Sequence, residues 1–409
     1  MLVLLNSASV FSYLFQLVLG KNLSPVDYGI FNSLNSLAVI LATPSTILHI
    51  LFSRFIVKLS ISGLNQVKCL LIKSISIMLW VSAGIFLFGL ASLPLLKSFL
   101  HLDASTPFIL MLLALSISLV LPILFGLLEG LHRFTLLGVG CFSNGLLRFL
   151  GALLLVSLLG WNVNGALLAG ILATICIIGF GFWSLKDILK VSQGELPPHL
   201  LSEMLRYSVP VFLTTVMVLL LGNIDIILVR HFCKPEEAGL YATAAVLGRI
   251  ALFLPSAILT VLFPSVAKAQ STGHGDKNIL WVSLGMTFII GGSVALVAFF
   301  WPQQIITVLF DDQYVEAAPL LQIISIAMGL LATSNVIFSY SLARSDFYYL
   351  RILSLGIMLM LIMVYLFHDS PMIIAQILLF SITIIFIATL IWLGITYKNK
   401  PGSLSLKKT

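Results

Sequence analysis

Apolar runs of about 20 residues recur from one end of the 409-residue chain to the other. A helix of this length crosses a hydrocarbon core about 30 Å thick at about 1.5 Å rise per residue. Hydrophobic residues make up 60% of the chain and charged residues only 9%, whereas soluble proteins carry about 25% charged residues. The sequence therefore predicts an all-α polytopic membrane protein and excludes a soluble globular fold.

The runs predict about twelve transmembrane helices in two sets of six. Their approximate limits are 1–19, 28–51, 75–96, 107–128, 136–158, 163–183, 208–230, 239–266, 279–301, 318–343, 348–367 and 371–396. The longest hydrophilic break lies between the two sets, and its Leu200–Tyr207 segment is periodic enough for a short amphipathic helix. We therefore predict an N-lobe at 1–185, a cytoplasmic linker at 186–207 and a C-lobe at 208–409 with a basic cytoplasmic tail.

The positions of the 22 Lys and Arg residues predict the orientation. Most of them fall in the even-numbered loops and the C-terminal tail, and the opposite loops hold Lys21, Lys97, Arg230 and Lys234. Short cytoplasmic loops retain positive charge, so both termini are predicted to be cytoplasmic in a cell membrane. The charges form no basic stripe, which argues against a nucleic-acid partner. The first run is interpreted as a retained helix, and a natural start upstream of Met1 is left open.

Two pairs of segments indicate an internal repeat. Pro25–Phe31 (PVDYGIF) matches Pro235–Tyr241 (PEEAGLY), and each follows the first span of its half. Pro44–Phe52 (PSTILHILF) matches Pro255–Phe263 (PSAILTVLF) at nearly the same spacing, with six of nine residues identical. Two matches in the same order favour duplication over the chance similarity that is common among apolar sequences.

Because each half has an even number of predicted spans, the two repeats are parallel and related by an axis along the membrane normal. Transporters of this design carry substrate through a central cleft between two lobes that rock about it. Pro44 and Pro255 occupy equivalent points of the two halves, and a proline within a span kinks its helix. They are candidate hinges, with tolerated packing prolines as the alternative.

Several short motifs, in their order along the chain, support a family resemblance. They are the Pro25–Phe31 turn, Glu129–Phe134 (EGLHRF), Leu205–Pro210 (LRYSVP), Asn223–Val229 (NIDIILV) and Ala238–Ala244 (AGLYATA). The chain resembles the polysaccharide transporter family, which includes O-antigen flippases, within the multidrug/oligosaccharidyl-lipid/polysaccharide (MOP) exporter superfamily. The resemblance implies transfer of a polyprenyl-pyrophosphate-linked oligosaccharide from the inner to the outer leaflet for surface polysaccharide synthesis. Membrane lipids and other polysaccharide-assembly proteins are the partners it implies.

Charged residues within the spans are candidate functional sites because burying them is costly. Arg148 falls near the middle of the fifth predicted span, and Arg249 and Asp225 fall within the eighth and seventh. Either arginine could line a cleft for an anionic headgroup, since guanidinium keeps its charge and its planar fork matches phosphate oxygens. For Arg249 an ion pair with Asp225 is an open alternative, in which case Asp225 is structural rather than an ion-coupling site.

Amides within the spans are weaker candidates. Asn32, Asn35 and Asn144 could bind sugar hydroxyls or could hydrogen-bond between helices. The seven histidines and four cysteines are scattered, without metal-ligand or CxxC spacing, and no metal site is expected. No P-loop pattern occurs, so ATP hydrolysis by this chain is not expected. No cofactor is expected either.

Two other functions compete with the flippase hypothesis. A multidrug cation antiporter of the same superfamily would need buried carboxylates, whereas the central charge of the predicted N-lobe is Arg148. A membrane glycan polymerase would need a sizeable outer loop with acid, base or phosphate-binding groups. The longest predicted outer loop, 302–317, carries only acidic charge. The sequence therefore favours a transporter without enzymatic activity.

Overall fold

The structure, a computed structural model, describes residues 2–192, 194–197, 200–256, 258, 262, 277–344 and 346–399. All regular elements in these ranges are helical, with no strand among them. Within the described ranges, eight helices are long and apolar enough to cross a membrane, and the number rises to ten if each of two bent helix pairs is one span. The all-α polytopic fold predicted from the sequence is confirmed. The predicted eighth span, 239–266, runs beyond the described residues.

The helices follow one another along the chain with short connections. In the first half they are α1 (Leu2–Asn22), α2 (Pro25–Leu41), α3 (Thr43–Ser62), α4 (Leu64–Ala91), α5 (Leu93–Phe99), α6 (Thr106–Ser118), α7 (Leu121–Gly130), α8 (Phe134–Ala152), α9 (Asn162–Ser184) and α10 (Lys186–Lys190). A π-helical segment, Leu153–Leu158, continues directly from α8.

The second half contains longer helices separated by short ones. They are α11 (Leu200–Leu221), α12 (Ile224–Phe232), α13 (Pro235–Gly248), α14 (Ile250–Phe253), α15 (Lys277–Phe300), α16 (Pro302–Leu309), α17 (Ala318–Ala343), α18 (Tyr349–Leu366) and α19 (Pro371–Asn399). A short 3-10 helix, Asp312–Ala317, precedes α17. The segment expected to form a separate amphipathic helix, Leu200–Tyr207, is instead the first part of α11.

The helices group into two compact units. The first contains Met1–Thr243 with Ile306–Glu316, and the second contains Ala244–Ile305 with Ala317–Thr409. These units describe how the helices pack. They do not test the lobes predicted from the repeat, so the boundaries at 185 and 208 stay a prediction.

The helices are interrupted next to both candidate hinge prolines. α2 and α3 meet at Ala42 with a bend of 51°, and Pro44 occupies the first turn of α3. In the second half α14 ends at Phe253, directly before the turn that contains Pro255. Proline is favoured in the first helical turn because its missing N–H needs no partner there. A second bend, of 43° between α11 and α12 at Asn223, was not predicted.

The glycines of the first repeat motif pack against each other within the first compact unit. Gly29 and Gly239 occupy matching positions near the N-termini of α2 and α13. A Cβ added at Gly239 would lie 1.9 Å from the carbonyl oxygen of Pro25, and one added at Gly29 would lie 3.0 Å from the backbone nitrogen of Gly239. The two helices therefore touch through their backbones, which only glycine permits at this distance.

Arg230 is a buried structural residue, although the sequence count assigned it to a loop. It lies in the last turn of α12 and is 2% exposed. Its Nε donates to the carbonyl of Leu100 at 2.9 Å and its Nη2 to that of His101 at 3.0 Å. The neighbouring His231 ring stacks on Phe99 at 3.9 Å. Arg230 therefore binds the two carbonyls that directly follow the end of α5, where a helix leaves backbone carbonyls without partners of its own.

Candidate functional site

A cavity of about 250 Å³ lies within the first compact unit, among α2, α6, α7, α8 and α9. Most of its wall is apolar. The polar side chains that line it are Asn35, Ser118, Asn144, Arg148 and Thr174. Among the described lining residues, Arg148 is the one ionisable side chain. The cavity is therefore cationic within an apolar setting.

Arg148 reaches the cavity from the C-terminal part of α8. Its Nε is buried and makes no hydrogen bond to any residue that the structure describes. The guanidinium carbon lies 4.6 Å from the centre of the Phe15 ring, on the face of the ring. Gly170 lies on the other side, where an added Cβ would be 3.9 Å from Nε. An unused donor next to a cavity is available to an anionic ligand.

Asn144 lies one turn before Arg148 on the same face of α8, since residues four apart are neighbours on a helix. Its Oδ1 is buried and accepts no hydrogen bond from the described residues. The two side chains therefore offer one unused acceptor and one unused donor to the same cavity. This pairing suits a ligand that carries both hydroxyl groups and negative oxygens.

Small residues determine how closely the neighbouring helices approach this part of α8. At Gly145 an added Cβ would lie 3.0 Å from the carbonyl oxygen of Ala8 on α1. At Gly151 it would lie 2.9 Å from the Cβ of Ala169 on α9. The π-helical turns that follow α8 are a feature found frequently at functional sites. These contacts hold α8 between α1 and α9 and place Arg148 at the cavity.

The three predicted asparagines have different environments. Asn35 and Asn144 line the cavity. Asn32 lies outside the lining and is 2% exposed; its Nδ2 donates to the carbonyl of Tyr28 at 3.0 Å, and its Oδ1 accepts from Gln16 at 3.5 Å. Asn32 therefore connects α1 and α2 by a hydrogen bond with Gln16.

The structure does not place Arg249 in the lining of the Arg148 cavity. Arg249 is 8% exposed and belongs to the second compact unit, between α13 and α14. Asp225 is 1% exposed in the first unit and accepts a hydrogen bond from the Tyr241 hydroxyl at 3.1 Å. A pair between Asp225 and Arg249 stays a prediction.

A histidine and a glutamate that the sequence analysis did not pair lie in contact. His49 Nε2 on α3 lies 2.9 Å from Glu129 Oε2 at the end of α7, and both side chains are more than one third exposed. Their contact follows from the packing of α3 on α7, since an added Cβ at Gly126 would lie 2.8 Å from the carbonyl oxygen of His49. In the described part of the chain, no three His, Cys, Asp or Glu side chains cluster as metal ligands.

An ion pair joins the two connections that flank α8 and α9. Arg133 binds Asp187 through both terminal nitrogens and also donates to the carbonyl of Ser184 at 2.7 Å. The hydrogen bond from Arg133 lowers the pKa of Asp187, and the same bond raises the pKa of Arg133. This arginine is therefore occupied by a carboxylate, in contrast to Arg148.

Comparison with known proteins identifies relatives of the sequence. A family model described as polysaccharide biosynthesis protein matches residues 1–270. An uncharacterized membrane protein of Methanocaldococcus jannaschii, MJ1068, is 24% identical over 193 residues, which is 44% of this chain and 37% of that protein. The match thus spans little more than a third of that relative.

Solved structures with the same fold cover nearly the whole chain. An inward-facing multidrug resistance MATE family transporter of the MOP superfamily matches 95% of this chain and 94% of its own, with a TM-score of 0.82 and 11% identity. The lipid II flippase MurJ, in an inward closed conformation, matches 96% and 87%, with a TM-score of 0.71 and 14% identity. A MOP superfamily transporter from Pyrococcus furiosus matches 98% and 95%, with a TM-score of 0.68 and 13% identity. At these identities the likeness establishes the fold.

Proposed function

The chain belongs to the polysaccharide biosynthesis protein family, and from this premise we propose that it is a flippase for a polyprenyl-pyrophosphate-linked oligosaccharide. The lipid-linked glycan enters from the cytoplasmic leaflet and leaves to the outer leaflet of the cell membrane, with both termini of the protein in the cytoplasm. The protein acts as a transporter for surface polysaccharide synthesis, and it makes and breaks no covalent bond of the substrate.

The observation that carries the proposal is the pair of unused groups on α8. Among the described residues Arg148 Nε has no hydrogen-bond acceptor and Asn144 Oδ1 has no donor, and both residues line the cavity. A pyrophosphate supplies acceptor oxygens to the arginine, and a sugar hydroxyl supplies a donor to the amide. A ligand that unites the two chemistries is a sugar linked to a pyrophosphate.

The size of the cavity limits which part of the substrate it holds. At about 250 Å³ it is smaller than the roughly 300–1,000 Å³ of pockets that enclose drug-sized ligands. The pyrophosphate and part of the first sugar fit such a space, whereas a complete oligosaccharide does not. Recognition in this cavity is therefore directed at the linkage that all polyprenyl-pyrophosphate glycans share.

The physical task of the protein is to shield polar groups during transfer. Each hydroxyl or amide that enters hydrocarbon without a partner costs about 2–7 kcal/mol, so an unassisted oligosaccharide does not cross. A cavity with polar groups replaces water during the passage. Outward movement of pyrophosphate is also favourable, by roughly 2.3 kcal/mol per negative charge per 100 mV of interior-negative potential.

Alternating access would use the helix interruptions next to Pro44 and Pro255 as hinges. Each interruption removes the backbone hydrogen bonds that would otherwise resist bending. The contact of Gly29 with Gly239 joins the two halves of the repeat at one end, and rocking of the predicted lobes would separate these glycines. Opening and closing of that contact is the movement that the proposal requires.

The similarity in fold to a multidrug resistance transporter makes cation antiport the second candidate. A cationic drug needs an acidic or neutral aromatic site, and protons or sodium ions need a carboxylate to bind. The described lining of the cavity has Arg148 and no acidic side chain. The sign of this charge favours an anionic substrate.

Deletion of the gene tests the proposal. A flippase defect leaves completed polyprenyl-pyrophosphate oligosaccharide on the cytoplasmic leaflet, detected by its inaccessibility to a glycan-modifying enzyme added from outside. Plasmid-borne wild type should restore surface glycan, and Arg148→Ala at equal abundance should not. Normal outward transfer in the deletion strain, or drug sensitivity as its main defect, would contradict the proposal.

A further inference from the structure

Phe15 and Arg148 form a cation–π pair between α1 and α8. The Phe15 ring is 2% exposed, and the guanidinium carbon of Arg148 lies over it at 4.6 Å from the ring centre. Phe15 also meets Phe31 edge to face, with the ring centres 5.8 Å apart. The ring is thus fixed by α2 while it presents its face to the arginine.

The close approach of α1 to α8 brings the pair together. Gly145 lies three residues before Arg148, and an added Cβ there would lie 3.1 Å from the Cβ of Phe11. Phe11 in turn contacts Phe142 and Phe149 at ring-centre distances of 5.4 and 5.8 Å. The aromatic residues of α1 therefore pack along α8, and Phe15 lies next to Arg148 because of this register.

An aromatic face stabilises a guanidinium group in a way that an acid does not. The negative face of the ring attracts the cation electrostatically. A carboxylate would bind the N–H groups at the edge of the guanidinium, as Asp187 does at Arg133. A ring has no oxygen to accept those N–H groups, and the Nε donor of Arg148 makes no hydrogen bond to the described residues.

We propose that Phe15 is a positioning residue, which holds Arg148 by its face so that the N–H donors at its edge remain available to the pyrophosphate oxygens. This inference rests on the proposed function of Arg148. It adds that a neutral ring, in place of a counter-ion, keeps the arginine in the cavity between transport cycles without competing with the substrate.

Fluorination of Phe15 separates this electrostatic role from simple packing. Replacing the ring hydrogens with one, two and three fluorine atoms, by an expanded genetic code, weakens the negative face while it changes the ring volume little. The full-length protein in detergent is titrated with farnesyl pyrophosphate as the probe. We expect its Kd to rise stepwise, with a total weakening of about three- to thirtyfold for the trifluoro ring.

Phe108 supplies the matched control, because it is 1% exposed on α6 and lies in the same compact unit. The same fluorine series at Phe108 should leave the Kd unchanged, and thermal stability should be the same for both series. A flat Kd across the Phe15 series, with Arg148→Ala still abolishing binding, would overturn the role of Phe15 and leave the proposed function intact. Unaltered binding by Arg148→Ala would instead contradict the proposed site itself.

Discussion

Arg148 and Arg230 lie on helices of the same compact unit, yet their surroundings differ. The Nε of Arg230 and one terminal nitrogen donate to the carbonyls of Leu100 and His101. The guanidinium of Arg148 lies on Phe15, and its Nε has no acceptor. Each arginine also has one buried nitrogen without a hydrogen bond to the described residues, Nε in Arg148 and Nη1 in Arg230. What distinguishes them is that Arg230 donates to two backbone carbonyls, whereas Arg148 lines a cavity in which a ligand can reach it.

The largest effect is expected from Arg230→Met, which keeps the side-chain volume and removes both donors. The buried carbonyl of Leu100 and the partly buried carbonyl of His101 would lose their hydrogen bonds. Hydrogen bonds to charged groups contribute about 1.5–3 kcal/mol each, so unfolding should become easier by about 3 kcal/mol. Thermal unfolding in detergent and abundance in the membrane measure this loss.

Arg230→Lys should recover part of the stability, because lysine retains a charged donor but cannot reach two carbonyls as a planar fork. If Arg230→Met leaves the thermal transition unchanged while it reduces transport, the assignment of Arg230 as structural is wrong. For Arg148 we expect the opposite of the Arg230 result: its substitution should reduce transport and leave the thermal transition nearly unchanged.

Arg148→Ala is expected to reduce export about tenfold or more while protein abundance stays near that of the wild type. Its Nε has no protein acceptor to lose, so the main loss is the charge-assisted hydrogen bond to the substrate, of about 1.5–3 kcal/mol. Arg148→Lys should restore export in part, since the charge remains but the fork does not. Export is measured as the rate at which lipid-linked glycan becomes accessible from outside, normalised to protein amount.

The fold was largely predictable from the sequence, because apolar runs and prolines report directly on membrane helices. The bend at Pro44 follows from proline chemistry, whereas the bend at Asn223 has no comparably strong signal. Arg230 was assigned to a loop because it follows an apolar run and precedes Cys233 and Lys234. Only the tertiary contact with Leu100 shows that this end of α12 is buried.

The candidate site was partly predictable. A charge in the middle of an apolar run singled out Arg148, and Asn35 and Asn144 line the same cavity. Ser118 and Thr174 were missed, because hydroxyl residues in membrane helices commonly bond to carbonyls of their own helix. Phe15 gave no signal, since one aromatic side chain among many becomes distinctive only when a cation lies on its face.

A smaller effect is expected at the backbone contact between Gly29 and Gly239. An added Cβ meets the Pro25 carbonyl at 1.9 Å in Gly239→Ala but only approaches the Gly239 nitrogen at 3.0 Å in Gly29→Ala. Overpacking typically costs about 1–3 kcal/mol, so Gly239→Ala should lower stability by about 2 kcal/mol and Gly29→Ala by less. Thermal unfolding compares the two, with Gly84→Ala, where the added Cβ meets nothing within 4 Å, as the control. Equal effects of Gly239→Ala and Gly84→Ala would contradict the contact.

The smallest effect is expected for the ion pair between Arg133 and Asp187. The hydrogen bond from Arg133 lowers the pKa of Asp187, so the folded state favours the ionised carboxylate more than the unfolded state does. The resulting stability is fully present above the unfolded pKa of about 3.9 and is lost as the pH falls through the lowered pKa of the folded state. Because Asp187 is about half exposed, the contribution should be about 0.5 kcal/mol.

Asp187→Asn should therefore lower stability slightly and equally between pH 5 and 8, with the difference from wild type disappearing only below about pH 4. Thermal unfolding across this pH range measures it, and a difference that changed between pH 6 and 8 would contradict the assignment to Asp187.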